Sequence, residues 1–290
     1  MKYVKTGFFT ALLITLAGTV WAQDEAFKLN ETYPIAEEGT LHLVSDDAEV
    51  TIEGADRSDV HVVIYRHVDM DGWKVEKSGT FDVEVKQRDG DLYITEKSDE
   101  ERRVVVGSVK EEYQITIQAP HDIALDIQGD DDRYTIRNIN RGIRLEADDT
   151  EAEILNAGGQ QFNFSMDDGR INMDRGQGSL ELSMDDGTFS VAQGTFDNWN
   201  TQMDDGIITL GTRLVDGGSY SLDMDDGSLK LNIAGGGGRF IINHDDPEID
   251  FGGSFEAVRA GENHSEYRLA GGNAEVEINT DDGEITLSVI

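Results

Sequence analysis

The chain has no cysteine, only three prolines, and 24 lysines and arginines against 59 aspartates and glutamates. Without cysteine there is no disulfide, no thiol chemistry and no lipoprotein attachment, so stability must come from burial and backbone pairing. So little proline, set against 32 glycines, leaves hydrogen-bonded ladders uninterrupted while supplying many tight bends. The shortage of positive charge leaves a formal net charge of −35. Such a surface repels nucleic acid, anionic lipid and acidic polysaccharide, and attracts divalent cations or a basic partner; it is also a general adaptation to salt. Beyond residue 22 no apolar run approaches transmembrane length and no useful helical periodicity appears.

What the chain does have is a repeat. Two aspartates stand side by side nine times, and from the middle onward most pairs recur every 18 to 21 residues. The clearest copies are Met166-Asp167-Asp168-Gly169, Met184-Asp185-Asp186-Gly187, Met203-Asp204-Asp205-Gly206 and Met224-Asp225-Asp226-Gly227. Weaker ones are Asp130-Asp131, Asp148-Asp149, Asp245-Asp246 and Asp281-Asp282, with Asp46-Asp47 alone near the start. Apolar residues alternate before each pair (Phe162, Phe164, Met166; Leu180, Leu182, Met184) and after it (Ile171, Met173; Phe189, Val191). Period two is the signature of a strand with one buried face. Asp-Asp-Gly is then a bend between two strands whose apolar faces look inward, Asp bonding nearby amides and Gly accepting positive φ. Arg175-Gly176-Gln177-Gly178, Asp216-Gly217-Gly218 and Gly235 to Gly238 supply the bend at the far end of the coil.

These features predict an all-β, single-domain parallel β-solenoid of 18–21-residue coils with two facing sheets. Asp-Asp-Gly bends run along one edge and Gly-rich bends along the other. The register extends into the first half, where Leu41 and Leu43 precede Asp46-Asp47, and Val83 and Val85 precede Arg88-Asp89-Gly90. Positions 46, 88 and 130 are evenly spaced, which reads as two coils between each. Residues 38–120 are expected as looser, longer coils and 121–290 as regular ones, after a lead-in at 23–37. Loops are expected near Asp69–Trp73, Ser98–Arg103 and Gly252–Gly272, the last with room for an extra coil lacking the motif. Lys2 and Lys5, the apolar Phe8 to Ala17 and Val20-Trp21-Ala22 make residues 1–22 a cleaved secretory signal, not a spanning helix. The mature protein is expected in the periplasm, at the cell surface or outside the cell, with no membrane insertion and no nucleic-acid partner.

The stretch Tyr113-Gln114-Ile115-Thr116-Ile117-Gln118-Ala119-Pro120, then Ile123-Ala124-Leu125-Asp126-Ile127, continues coil after coil to Asp281-Asp282-Gly283-Glu284-Ile285. It resembles the bacterial putative-adhesin family, a widespread β-solenoid domain of unknown function akin to head-GIN autotransporter-adhesin domains. The resemblance runs from about residue 38 to the end. It implies the solenoid fold and a surface-interaction role, and brings no catalytic residues. Members usually carry Ser-Gly or Asn-Gly at the bend where this chain has Asp-Asp-Gly.

The acidic column is the feature that could carry chemistry. Coils stacked in register put equivalent carboxylates about 4.8 Å apart. At that distance two of them repel by roughly 0.9 kcal/mol in water and about 3.5 kcal/mol at an effective dielectric of 20. Backbone amides could compensate, and so could calcium, whose ligands at about 2.4 Å bridge carboxylates so spaced. The candidate metal ligands are Asp167, Asp168, Asp185, Asp186, Asp204, Asp205, Asp225 and Asp226, against a plain bend role for the same residues. Met166, Met184, Met203 and Met224 fall in the inward phase and read as a core ladder, not a thioether site. His244 takes the methionine position in its own coil; His42, His61, His67, His121 and His264 show no ligand spacing. Trp73 and Trp199 are single aromatics at loops and coil edges, where covering core is the usual role. The rival class is a polysaccharide-active β-helix enzyme using a carboxylate pair. Catalysis, however, needs one pair whose two environments differ, not many alike. The expectation is a non-catalytic binding scaffold for a protein or cell-surface partner, with edge-to-edge self-association through the terminal strand at Ile285 to Ile290.

Overall fold

A computed structural model of the chain describes residues 25–76, 81–98, 104–245 and 248–290. The secretory signal expected at 1–22 and the segment 99–103 lie outside these. Among the described residues there are eighteen strands and no helix, joined into one large, mostly parallel sheet that does not close on itself.

In chain order, β1 (Glu25–Pro34) leads into β2 (Thr40–Asp46) and β3 (Glu49–Ala55). Longer excursions follow: β4 (Asp59–Glu76), β5 (Phe81–Arg88), β6 (Asp91–Ser98) and β7 (Val104–Pro120). The regular stack comprises β8 (Ala124–Asp130), β9 (Arg133–Arg137), β10 (Gly142–Leu155), β11 (Gln161–Arg213) and β12 (Ser219–Gly235). The chain ends with β13 (Gly238–His244), β14 (Glu248–Phe251), β15 (Phe255–Ala260), β16 (His264–Leu269), β17 (Ala274–Thr280) and β18 (Glu284–Val289). The 53 residues of β11 pass through three Asp-Asp-Gly steps without a lapse in ladder pairing, which is what links the faces into one sheet.

Apolar alternation sets the register. Ile143, Leu145 and Ala147 pair with Phe162, Phe164 and Met166, and Trp199, Thr201 and Met203 with Tyr220, Leu222 and Met224. A slip of one residue would turn every one of these side chains outward. The buried columns meet in a single core, with Phe162 edge-on to Phe196 at 6.3 Å and Phe164 tilted against Phe189 at 6.1 Å.

At both ends, spatial order departs from chain order. β17 pairs in parallel with both β12 and β13, and β18 with both β12 and β14. The strand at Ile285 to Ile290, expected to be an open edge, is therefore interior. The same device operates at the start: β2 lies between β8 and β6, and β3 between β9 and β7. Asp46 consequently pairs directly with Asp130, one coil away where the even spacing implied four. Alternation says which face of a strand is buried but nothing about which strand lies alongside.

Three further expectations are corrected. Asp89-Gly90 is a two-residue hairpin turn between antiparallel β5 and β6, not a bend of the stack; both residues have positive φ, 55° and 97°. Asp69–Gly72 is no loop, because β4 continues there in antiparallel pairing with β7. Between Gly252 and Gly272 the chain forms β15 and β16, an antiparallel pair added beside β13, not another parallel coil. The lead-in also acquires a role, since β1 pairs with β4 over its whole length.

Candidate functional site

All nine aspartate pairs contribute to one line, the Asp245-Asp246 pair through Asp245 alone among the described residues. Asp46 pairs with Asp130, Asp149 with Asp168, and Asp205 with Asp226. The Asp281 and Asp282 amides donate to the Asp225 carbonyl at 3.1 and 3.2 Å, and the Asp245 amide to the Asp281 carbonyl at 3.1 Å. The column therefore follows the spatial order of the strands, with Asp281-Asp282 ahead of Asp245. Its inner wall is Met166, Met184, Met203 and Met224, all buried. Behind the aspartates runs a glycine column, Gly169, Gly187, Gly206, Gly227 and Gly283, with φ between 118° and 145°. A Cβ on Gly187, Gly206, Gly227 or Gly283 would lie 2.3 to 2.5 Å from the carbonyl oxygen of the neighbouring glycine. Asp-Asp-Gly ends in glycine because that is how closely successive copies pack.

The eight candidate ligands, Asp167, Asp168, Asp185, Asp186, Asp204, Asp205, Asp225 and Asp226, are all exposed. None takes part in an ion pair among the described residues. Desolvation, then the charges of Asp149 and Asp186 in the coils on either side, raises the Asp168 pKa. Asp204 is raised in the same way, with Asp185 and Asp225 as the neighbouring charges. Among the described residues no three His, Asp or Glu side chains converge tightly enough to cage a metal ion. In-register stacking sets the carboxylates side by side along a line instead of around a point.

The N-terminal end of the column is built differently. Ser45, Gly129 and Ala147 replace the methionines, and Ala48, Asp132 and Thr150 replace the glycines. Asp132 turns inward and is 3 % exposed. Its carboxylate accepts hydrogen bonds from Tyr134 Oη at 2.6 Å, the Ala48 amide at 2.7 Å and Ser45 Oγ at 2.9 Å. Desolvation raises its pKa and these donors oppose the rise. A Cβ on Gly129 would meet Asp132 Oδ2 and Tyr134 Oη at 2.3 Å, so the small residue there makes room for the polar node. Sequence reading did not single out Asp132. The available signal was the missing glycine after Asp131, with Tyr134 in the inward phase two residues later.

Two carboxylates beside this node titrate far from their usual range. Partial desolvation in the crowded column, then repulsion from Asp47 and Asp130, pushes the exposed Asp46 up to about 6, while burial pushes the half-buried Glu96 up to about 7. A carboxyl whose folded value lies above its unfolded one, about 4, binds its proton more tightly when folded. Its stabilising contribution is thus complete below about pH 4 and lost as pH climbs through 6 to 7. Urea midpoints should therefore fall between pH 4.5 and 7.5, and Glu96→Gln should flatten that slope. An unchanged slope in the variant would rule out Glu96 as its source.

The remaining candidates are structural. Trp199 is buried with its ring 4.4 Å from that of Tyr220; the Trp73 side chain lies outside the described set. His244 Nε2 lies 3.0 Å from Ser265 Oγ. His42 stacks on Tyr93 at 4.2 Å, with Nδ1 2.9 Å from Asp126.

A family model, Toastrack DUF4097, matches residues 40–288. The chain is also similar to solved structures of a putative adhesin from Bacteroides fragilis (12% identity, TM-score 0.45, 91% of this chain and 97% of that one) and a putative adhesin from Parabacteroides distasonis (10%, 0.40, 90% and 97%). A third likeness is to a putative cell adhesion protein from Clostridium sporogenes (14%, 0.28, 93% and 100%). No curated protein matches.

Proposed function

The chain belongs to the Toastrack DUF4097 family, and from that premise we propose that it is an exported, non-catalytic scaffold for surface interaction. On this reading its coils of 18–21 residues bend at Asp-Asp-Gly along one edge and at glycine along the other. The acidic edge is what it presents, in the periplasm or at the cell surface, to divalent cations and to a basic protein or cell-surface partner. The observation that carries the reading is the unbroken line of exposed aspartates, unneutralised by any lysine or arginine in the regular coils.

Calcium gathers along such a line as counter-ions bridging successive coils, because no cage of three ligands is present among the described residues. Catalysis is disfavoured by sameness. The pairs of the regular coils share one exposed environment, whereas acid–base work needs carboxylates pushed apart in pKa. Of the carboxylates that do differ, Asp132 is sealed among its donors.

The test is a calcium titration of chelator-stripped mature protein at physiological salt, followed by calorimetry and melting. Saturable uptake of several ions with a rise in Tm is expected. Asn replacements at Asp185, Asp186, Asp204 and Asp205 should reduce the number of ions bound. No heat of binding, with the Asn variants as stable as the parent, would reduce the pairs to bend chemistry.

A further inference from the structure

The contacts that fix His42 leave one of its ring nitrogens uncommitted. β2 lies between β6 and β8, with His42 opposite Tyr93 on one side and Asp126 on the other. All three point away from the core, as does Asp91, two residues before Tyr93 on the same face of β6. Each is held by a second contact. His42 lies flat on Tyr93, with ring centroids 4.2 Å and planes 2° apart. Its Nδ1 is 2.9 Å from Asp126 Oδ2, and an ionised carboxylate only accepts, so Nδ1 carries the proton. In the neutral ring Nε2 then presents its lone pair. Asp91 is anchored through Oδ1, which accepts from the Thr40 amide at 2.7 Å. Its Oδ2 faces His42 Nε2 at 3.9 Å.

Two acceptors thus confront each other across a gap too long for a hydrogen bond. A metal ion fits it. Zinc bonds imidazole nitrogen at about 2.0–2.1 Å and carboxylate oxygen at about 2.0–2.2 Å, and a tetrahedral shell would draw the two atoms together by only about 0.5 Å. The local charge also suits a dication. Asp126 Oδ1 is buried and finds no hydrogen-bond partner among the described residues. Arg144 Nε stands off from it at 4.0 Å, and the same guanidinium is bonded to Glu146 at 3.0 Å. We propose that His42 Nε2 and Asp91 Oδ2 bind a divalent transition metal of the zinc or copper type, with Tyr93 and Asp126 as positioning residues. Imidazole favours such ions, whereas calcium takes oxygen donors. A carboxylate behind a ligating histidine fixes its tautomer and makes it a better donor. Two side chains do not form a cage. The 25 to 30 % exposure of His42, Asp91 and Asp126 leaves the remaining positions to water or to a donor from whatever this face meets. His42 is four residues, roughly 13 Å, from the aspartate bend, so the site goes beyond the calcium reading.

The experiment is titration of the full mature chain, stripped with chelator and held in excess calcium, with zinc and with copper(II). One zinc ion per chain is expected by calorimetry, and copper should show nitrogen coupling in its EPR spectrum. His42→Gln should abolish both signals. Asp91→Asn keeps an oxygen for the Thr40 amide and removes the charge facing the metal. It should weaken zinc binding about tenfold or more at unchanged Tm, and Asp126→Asn about 10–100-fold, the cost of losing the group behind a ligand. Asp185→Asn with Asp186→Asn should leave zinc binding intact. Zinc uptake that survives His42→Gln, a copper spectrum that this variant does not change, or no zinc uptake in excess calcium would overturn the proposal. Calcium uptake by His42→Gln should equal that of the parent, so the two readings fail separately.

Discussion

Ile278→Ala and Leu287→Ala should each cost roughly 2–5 kcal/mol of unfolding free energy, as much as Leu222→Ala in the middle of the stack. Ile278 is 1 % exposed, and Leu287 and Leu222 are 0 %. An edge strand would have one flank open and would tolerate truncation better. Here β17 and β18 are paired on both sides, so their loss strands two ladders at once. Deleting residues 274–290 should therefore abolish cooperative unfolding. Val276, Ile278, Ile285 and Leu287 are all buried; at about 1.5–3 kcal/mol each they contribute roughly 6–12 kcal/mol, comparable with the entire stability of an ordinary domain. Urea denaturation followed by circular dichroism reads both effects. A truncated chain melting cooperatively near the parent's Tm would contradict the interior placement of this coil.

Gly187→Ala is expected to cost roughly 3–5 kcal/mol, in the range reserved for strain and overpacking, whereas Gly217→Ala should cost only about 1–2 kcal/mol. Both glycines have positive φ, 131° and 74°. They differ in surroundings. A Cβ on Gly187 would sit 2.3 Å from the Gly169 carbonyl oxygen and 3.1 Å from its nitrogen, while one on Gly217 would meet nothing within 4 Å. The obstacle at Gly187 is backbone held in the ladder, so it cannot move aside alone. Matched thermal or urea melts of the two variants suffice. Equal losses would mean that backbone conformation, not the approach of the neighbouring Asp-Asp-Gly copy, fixes glycine there.

The repeat made the regular half legible. Alternation around Met166, Met184, Met203 and Met224 identified the inward faces, and the aspartates that follow them fell on one line because the strands pair in register. The ends were less legible for a physical reason. Strand pairing is made by backbone groups that every residue carries, so the choice of neighbour leaves no mark on composition. That is why β2–β3 and β17–β18 were expected in chain order and found one place inward. Asp89-Gly90 is a different lapse. An Asp-Gly pair flanked by alternating apolar residues is a strong hairpin signal, overridden because its spacing matched the repeat. At Asp132 the residue was visible but its direction was not, since the substitution of glycine by a side chain turned inward is legible only against the whole column.

The intercalated last coil also sets how the molecule bears load. Tension applied at residue 290 along β18 acts parallel to the strand, across ladders shared with β12 and β14. Their bonds are then sheared together instead of being unzipped one at a time, as they would be at a free end. A pull at residue 290 along β18 therefore meets both ladders in shear.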